Sequence, residues 1–145
     1  MWTHQYSSET TATPDAIFDL FERVDSWNEW NPGVERIDLN GPFASGTTGT
    51  MVMPGQESLA FRLVWVEAGR GFEDETEIRE ADVVVRVRHS LDVLPEGRTR
   101  ITYAATIDGV GADAVGPTIG PAITADFPEV VAALIARAEA AEAAA

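Results

Sequence analysis

The chain of 145 residues has no cysteine and no lysine, and its only histidines are His4 and His89. Without thiols there is no disulfide, no thiolate nucleophile and no cysteine metal site. Two histidines are too few for a histidine-rich metal centre, and no metal or cofactor is expected. No apolar run approaches the roughly 20 residues that cross a bilayer. Met1 to Thr10 lacks the basic and apolar regions of a signal peptide. A cytoplasmic protein without membrane insertion is the expectation. Positive charge is scarce too. Ten arginines stand against 24 acidic residues, a formal net charge of −14. Such a surface repels phosphate backbones and anionic lipid heads, so nucleic acid is not an expected partner.

What the chain does have is alternation. Trp2, His4, Tyr6 and Ser8 share one side of a segment ending at Thr10, and a period of two predicts a strand. Six more β segments are expected, at Val34–Leu39, Thr47–Met53, Leu59–Val66, Phe72–Ile78, Val83–Val93 and Arg100–Ile107. In the fourth strand Leu59, Phe61, Leu63 and Trp65 are assigned to one face. In the fifth, Phe72, Asp74, Thr76 and Ile78 oppose a row of glutamates. Short Gly/Pro connections and one apolar face per strand argue for an antiparallel sheet covered on one side.

Two short helices are predicted after the first strand. Thr13-Pro14-Asp15 combines a hydroxyl N-cap, a proline at the first helical position and an acid in the first turn. Ser26 and Glu29 have capping-box spacing for a second helix carrying Trp27 and Trp30. Towards the end the period changes. Ile119, Ile123, Phe127, Val130 or Val131, and Leu134 recur every three or four residues, a helical stripe. Pro128 inside it predicts a bend just before it. Gly109 and Gly111 are read as a turn into this region. Arg137–Ala145 is expected to be a solvated, fraying end. The expected fold is α+β, a single domain over 1–145, with a curved seven-stranded antiparallel sheet wrapped around a long C-terminal helix. A narrow helix inside a wide sheet leaves room for a central apolar cavity.

Several strings carry a family resemblance over nearly the whole chain. Ala12-Thr13-Pro14-Asp15-Ala16-Ile17-Phe18 is similar to an Ala-x-Pro-Glu-x-Val-Trp opening, with Phe18 where Trp is common. Trp27-Asn28-Glu29-Trp30-Asn31-Pro32-Gly33-Val34 resembles a Trp-x-x-Trp-x-Pro-x-Val string. Gly46-Thr47, the Gly97–Thr102 hairpin and the closing Phe127–Leu134 segment fit as well. The chain thus resembles the SRPBCC superfamily, with its START-like domains, birch-pollen-allergen-like proteins, and polyketide cyclase/dehydrase and lipid transport group. The resemblance implies a helix-grip fold with a hydrophobic cavity. It carries over no catalytic residue.

A cavity of this kind fixes a ligand with apolar walls and a few polar groups. His89 lies on a Val-rich face, either as a core histidine with one hydrogen bond or as a ligand contact and proton donor. Asp74 shares a face with Phe72 and Ile78, where an unpaired carboxylate is costly. Tyr6 and Tyr103 offer hydroxyls on apolar rings. His89, Asp74 and Tyr103 are the acid/base candidates. The expected ligand contacts are these together with Tyr6, Trp30, Trp65 and Phe72, and Ile119, Ile123, Phe127 and Val131 from the helix. The leading expectation is a binder of a small hydrophobic molecule (a lipid, quinone or polyketide-like aromatic), as monomer or homodimer. A polyketide cyclase/dehydratase enzyme is the alternative, and a protein-interaction module the third.

Overall fold

Alternating residues build seven strands: β1 (Trp2–Thr10), β2 (Arg36–Leu39), β3 (Thr48–Val52), β4 (Leu59–Glu67), β5 (Gly71–Ile78), β6 (Val83–Val93) and β7 (Thr99–Asp108). The structure is a computed structural model that describes residues 1–144. All pairings are antiparallel, in the spatial order β1-β7-β6-β5-β4-β3-β2. β2 to β7 form a meander, and β1 closes it by pairing with the last strand. Helix α1 (Pro14–Glu22) follows β1, and α2 (Ala112–Thr124) and α3 (Phe127–Ala144) end the chain. This is the expected helix-grip architecture, with the curved sheet held around a long but broken C-terminal helix.

The N-cap of α1 is Thr13, whose Oγ1 accepts a hydrogen bond from the Ala16 amide at 3.2 Å, and Ile17, Phe18, Leu20 and Phe21 turn into the core. The second short helix differs from expectation. It is a 3-10 segment, Val24–Glu29, so Ser26 lies inside it and caps nothing; its hydroxyl donates back to the Arg23 carbonyl at 2.8 Å.

The break in the C-terminal helix lies at Ala125 and Asp126, just ahead of Pro128. Proline has no amide hydrogen to give to the carbonyl four residues back, here that of Thr124. The helix also begins at Ala112, earlier than the apolar stripe suggests, and it contains Pro117 and Pro121. The end of the chain departs from expectation as well. Through Ala144 it stays helical and docks: Ala138 is fully buried, the Glu139 carboxylate accepts from Thr10 Oγ1 at 2.6 Å, and Glu142 accepts from the Thr13 amide and hydroxyl. Carboxylates at a helix N-terminus meet its unpaired amides and positive dipole end. Ala145, the last residue of that tail, lies outside the described residues.

The break divides the interior. α3 packs against α1 and β1, and α2 against β1 and β7. One apolar cluster gathers Phe21, Trp27, Trp30, Phe72, Leu91, Tyr103, Phe127 and Leu134. A second gathers Val83, Val85, Ile107 and Ala112, with Ile119 and Ile123 packed on it. Trp2 belongs to the fringe of both. Its side chain lies along Gly116 and Gly120 of α2, so closely that a Cβ on Gly116 would fall 2.8 Å from the Trp2 Cβ.

Gly120→Ala tests this close approach. Helix propensity alone favours alanine by about 1 kcal/mol. Overpacking against the Trp2 indole is expected to reverse the sign and destabilise the protein by about 1–3 kcal/mol in urea unfolding. In a Trp2→Ala background the same change is expected to stabilise.

Candidate functional site

The strand register places the inward-facing residues in rows. One runs Phe72, His89, Tyr103, Tyr6 across β5, β6, β7 and β1. The next runs Leu63, Asp74, Val87, Ala105, His4. A third runs Thr76, Val85, Ile107, Trp2. The first row belongs to the larger cluster and the third to the smaller; the Asp74 row lies between them as a seam, with Leu63 and Ala105 packed in the larger cluster and Val87 touching both. The helix break at Ala125 and Asp126 joins the helices that cover the two sides.

Rings fill the first row, where the sequence suggests a cavity. His89 stacks on Phe72 with centroids 4.0 Å apart and planes 10° apart, and meets Tyr103 edge-on at 4.4 Å. Tyr103 meets Phe127 at 5.4 Å. Phe21 from α1 and Phe43 from the β2–β3 loop close on Phe72 at 5.0 and 5.3 Å. A concavity of about 590 Å³ lies on the outer face of the sheet, where Thr48, Arg62 and Glu75 stand in register. It is open and partly charged, unlike the apolar enclosure expected of a hydrophobic-ligand site.

His89 is buried with its Nδ1 3.3 Å from the Phe72 carbonyl, the geometry of an Nδ1–H donor. Burial pushes its pKa down to about 3, partly countered by that bond, so the ring is neutral at physiological pH. It packs as a core histidine and has no proton to spare as a general acid.

Asp74 behaves oppositely. Burial, helped by the neighbouring Glu73 charge, pushes its pKa from 3.8 up to about 7. It is half-buried, as is Val87 beside it, although both face inward. Burial also raises the pKa of the Tyr103 hydroxyl, and the charges of Asp74 and Asp126 raise it further. Both aspartate charges thus act on the Tyr103 hydroxyl, though neither acts on the other. Hydrogen bonding contributes to neither the Asp74 nor the Tyr103 shift. Asp126 is also raised, first by its own desolvation and also by Glu129, and its Oδ2 comes within 3.7 Å of the Cβ position of Gly33. The Trp30 Nε1–H is buried with no partner among the described residues, whereas Trp27 Nε1 donates to the Phe21 carbonyl at 2.9 Å.

The remaining candidates separate. Tyr6 is half-buried opposite Tyr103, and Val131 is fully buried in the larger cluster. Ile119 and Ile123 lie half-buried on α2 over the smaller cluster. Trp65 does not share the inward face of Leu63. A register shift between Leu63 and Trp65 turns it outward, where the Arg88 guanidinium sits 4.0 Å over its ring and also donates to Glu73. Asp126 was not among the sequence candidates. The signal for it was the proline-induced bend, which leaves the residue before Phe127 at a corner between the two helices.

A family profile described as polyketide cyclase / dehydrase and lipid transport matches residues 1–139. No curated protein sequence matches. Among solved structures, a norcoclaurine synthase point mutant from Thalictrum flavum, in complex with a transition-state analogue, superposes with a TM-score of 0.76 at 12% identity, covering 97% of this chain and 95% of that one. The protein MLL2253 from Mesorhizobium loti gives 0.74 at 15% identity, covering 94% and 96%. The di-domain aromatase/cyclase BexL gives 0.69 at 14% identity, where 94% of this chain spans 50% of that one. At these identities the likeness is one of fold.

The Asp74 shift has a thermodynamic signature. The unfolded chain releases this proton near pH 4 and the folded chain only near pH 7. Between those values the native state binds more protons, so this group makes stability fall as pH rises. Asp74→Asn is expected to remove that fall. In urea titrations the variant should gain on the wild type from pH 5 to pH 8 by on the order of a few kcal/mol; a constant difference would show that Asp74 titrates normally.

Proposed function

The chain belongs to the polyketide cyclase / dehydrase and lipid transport family of the SRPBCC superfamily, and from that premise we propose that it binds a small, largely apolar aromatic molecule at the seam between its two apolar clusters. The observation that carries this reading is the placing of Asp74 and Tyr103 in adjacent inward rows of a largely apolar face. Buried polar groups cost stability unless something satisfies them. A ligand with matching polar groups would do so and take its orientation from them, while the Phe72, Tyr103 and Phe127 rings supply flat surface. The small side chains of Val87 and Ala105 leave the least bulk along this row.

Asp74 favours a second reading, in which the bound molecule also reacts. A carboxyl with a pKa near 7 exists in both protonation states at neutral pH and serves as either acid or base. Beside a phenol it suits enolisation, dehydration or ring closure of a polyketide-like chain. Holding such a chain in one folded geometry itself accelerates cyclisation.

Melting curves with polycyclic phenols, quinones and fatty acids test the binding reading. At least one aromatic class is expected to raise the melting temperature, because a ligand of the native state stabilises it. Tyr103→Phe should weaken that ligand about five- to tenfold, the worth of one hydrogen bond. Trp65→Ala, on the outer face, should leave it unchanged. If no compound shifts the transition, the reading fails. For the reactive alternative, Asp74→Asn is expected to keep binding and lose turnover.

A further inference from the structure

We propose that the outer face of the sheet carries a second binding site, in the concavity over β3, β4 and β5, for a small polar molecule bearing a phosphate monoester. The site is independent of the seam, which lies on the opposite face.

The concavity, about 590 Å³, is bordered by side chains that strand alternation turns away from the core. Thr48 of β3, Arg62 of β4 and Glu75 of β5 stand directly across from one another. Thr50 and Ala60 form the next pair along β3 and β4. Asn40, Glu77 and Arg79 also line the space.

The charges and donors already committed within the protein decide what this space accepts. Glu75 is taken by Arg86, whose Nε donates to it at 2.8 Å, and Glu77 lies 3.5 Å from Arg79 Nε. Arg62 is left over. It and Arg70 are the arginines without an ion-pair partner among the described residues, in a chain where 24 acidic residues face ten basic ones. Thr48 Oγ1 accepts from Asn40 Nδ2 at 2.9 Å, which leaves its own proton free to donate elsewhere. The uncommitted groups are therefore donors, a guanidinium and threonine hydroxyls, while the carboxylates beside them are neutralised. An anion rich in acceptors matches that set. The net charge of −14 repels anions at long range, but the positive charge of Arg62 is locally uncancelled.

The register gives the donors their shape. Directly opposed residues on one face have Cβ atoms about 5 Å apart, and diagonal ones about 7–8 Å. Thr48 is opposite Arg62 and Thr50 is diagonal to it, so both hydroxyls lie within reach of a group held on the guanidinium fork. That fork pairs with two oxygens of a carboxylate or phosphate at once. A carboxylate then has no oxygen left for the threonines, whereas a tetrahedral phosphate does. The volume exceeds that of a phosphate and leaves room for a body the size of a sugar.

Calorimetry with glucose 6-phosphate, gluconate and glucose, with backbone amide shifts followed by nuclear magnetic resonance, tests the site. Salt of about 0.15 M screens the long-range repulsion. Glucose 6-phosphate is expected to bind and to move the amides of residues 48–50 and 60–62. Gluconate should bind at least about tenfold more weakly, and glucose not measurably. Arg62→Gln should weaken glucose 6-phosphate about tenfold or more. Arg62→Lys, which keeps the charge and loses the fork, should weaken it nearly as far. Thr48→Val should cost about three- to tenfold. Arg70→Gln, which removes the other unpaired guanidinium, should change nothing. Thr48, Arg62 and Arg70 are all exposed, so these variants should melt as the wild type does. The proposal is overturned if glucose 6-phosphate does not bind, if gluconate binds as tightly, if Arg62→Lys binds like the wild type, or if Arg70→Gln weakens binding as much as Arg62→Gln.

Discussion

Pro128 cannot donate a backbone hydrogen bond, and much of the interior follows from that missing amide. A single straight helix would lie over the sheet along one line and cover one strip of it. The break turns α2 towards β1 and β7 and leaves α3 on α1 and β1. Two clusters form, one under each helix, and Val87 of the row between them touches both. The same break puts Asp126 at the corner, its Oδ2 3.7 Å from the Cβ position of Gly33, where its charge raises the Tyr103 pKa. The polar groups of the candidate site are thus placed by one covalent feature of the backbone.

The two clusters are built differently. The larger is aromatic, with Phe72, His89, Tyr103 and Phe127 in contact from strand to helix. Aromatic edges and faces impose orientation as well as contact, which makes this half the rigid template. The smaller is aliphatic and is capped by α2, a helix weakened by Pro117 and Pro121 and pinned by the fit of Trp2 against Gly116 and Gly120. A ligand at the seam would be oriented by one side and admitted by yielding of the other.

Most of the fold was legible in the sequence because most strands obey one rule. Val83 to Leu91 and Ile101 to Ile107 alternate throughout, and all their inward residues except half-buried Val87 are buried. Trp65 was misplaced because a bulge shifts the phase of alternation, and no residue type in Leu63-Val64-Trp65 announces one. The start of α2 was hidden because glycine and proline dominate it, and local propensity there points to turn. The acid/base trio was read in part. Asp74 and Tyr103 stood out as polar residues on apolar faces, but the neutrality of His89 depends on how deeply Phe21 and Phe72 bury it, which is a tertiary fact. Asp126 carried no periodic signal, being significant only because the chain turns there.

The docking of Glu139 and Glu142 onto the Thr10–Thr13 corner joins residues 129 positions apart in sequence. Contacts of such separation carry a large closure entropy and form late. During synthesis the start of α1 leaves the ribosome long before its carboxylate partners exist. β1 likewise waits for β7, the strand it pairs with. Until residue 142 is free, the chain is a meander with an open face, the state in which exposed apolar surface invites association with chaperones or with other nascent chains. The turn carrying Glu139 and Glu142 therefore acts as a clasp that fastens only once those residues have been made.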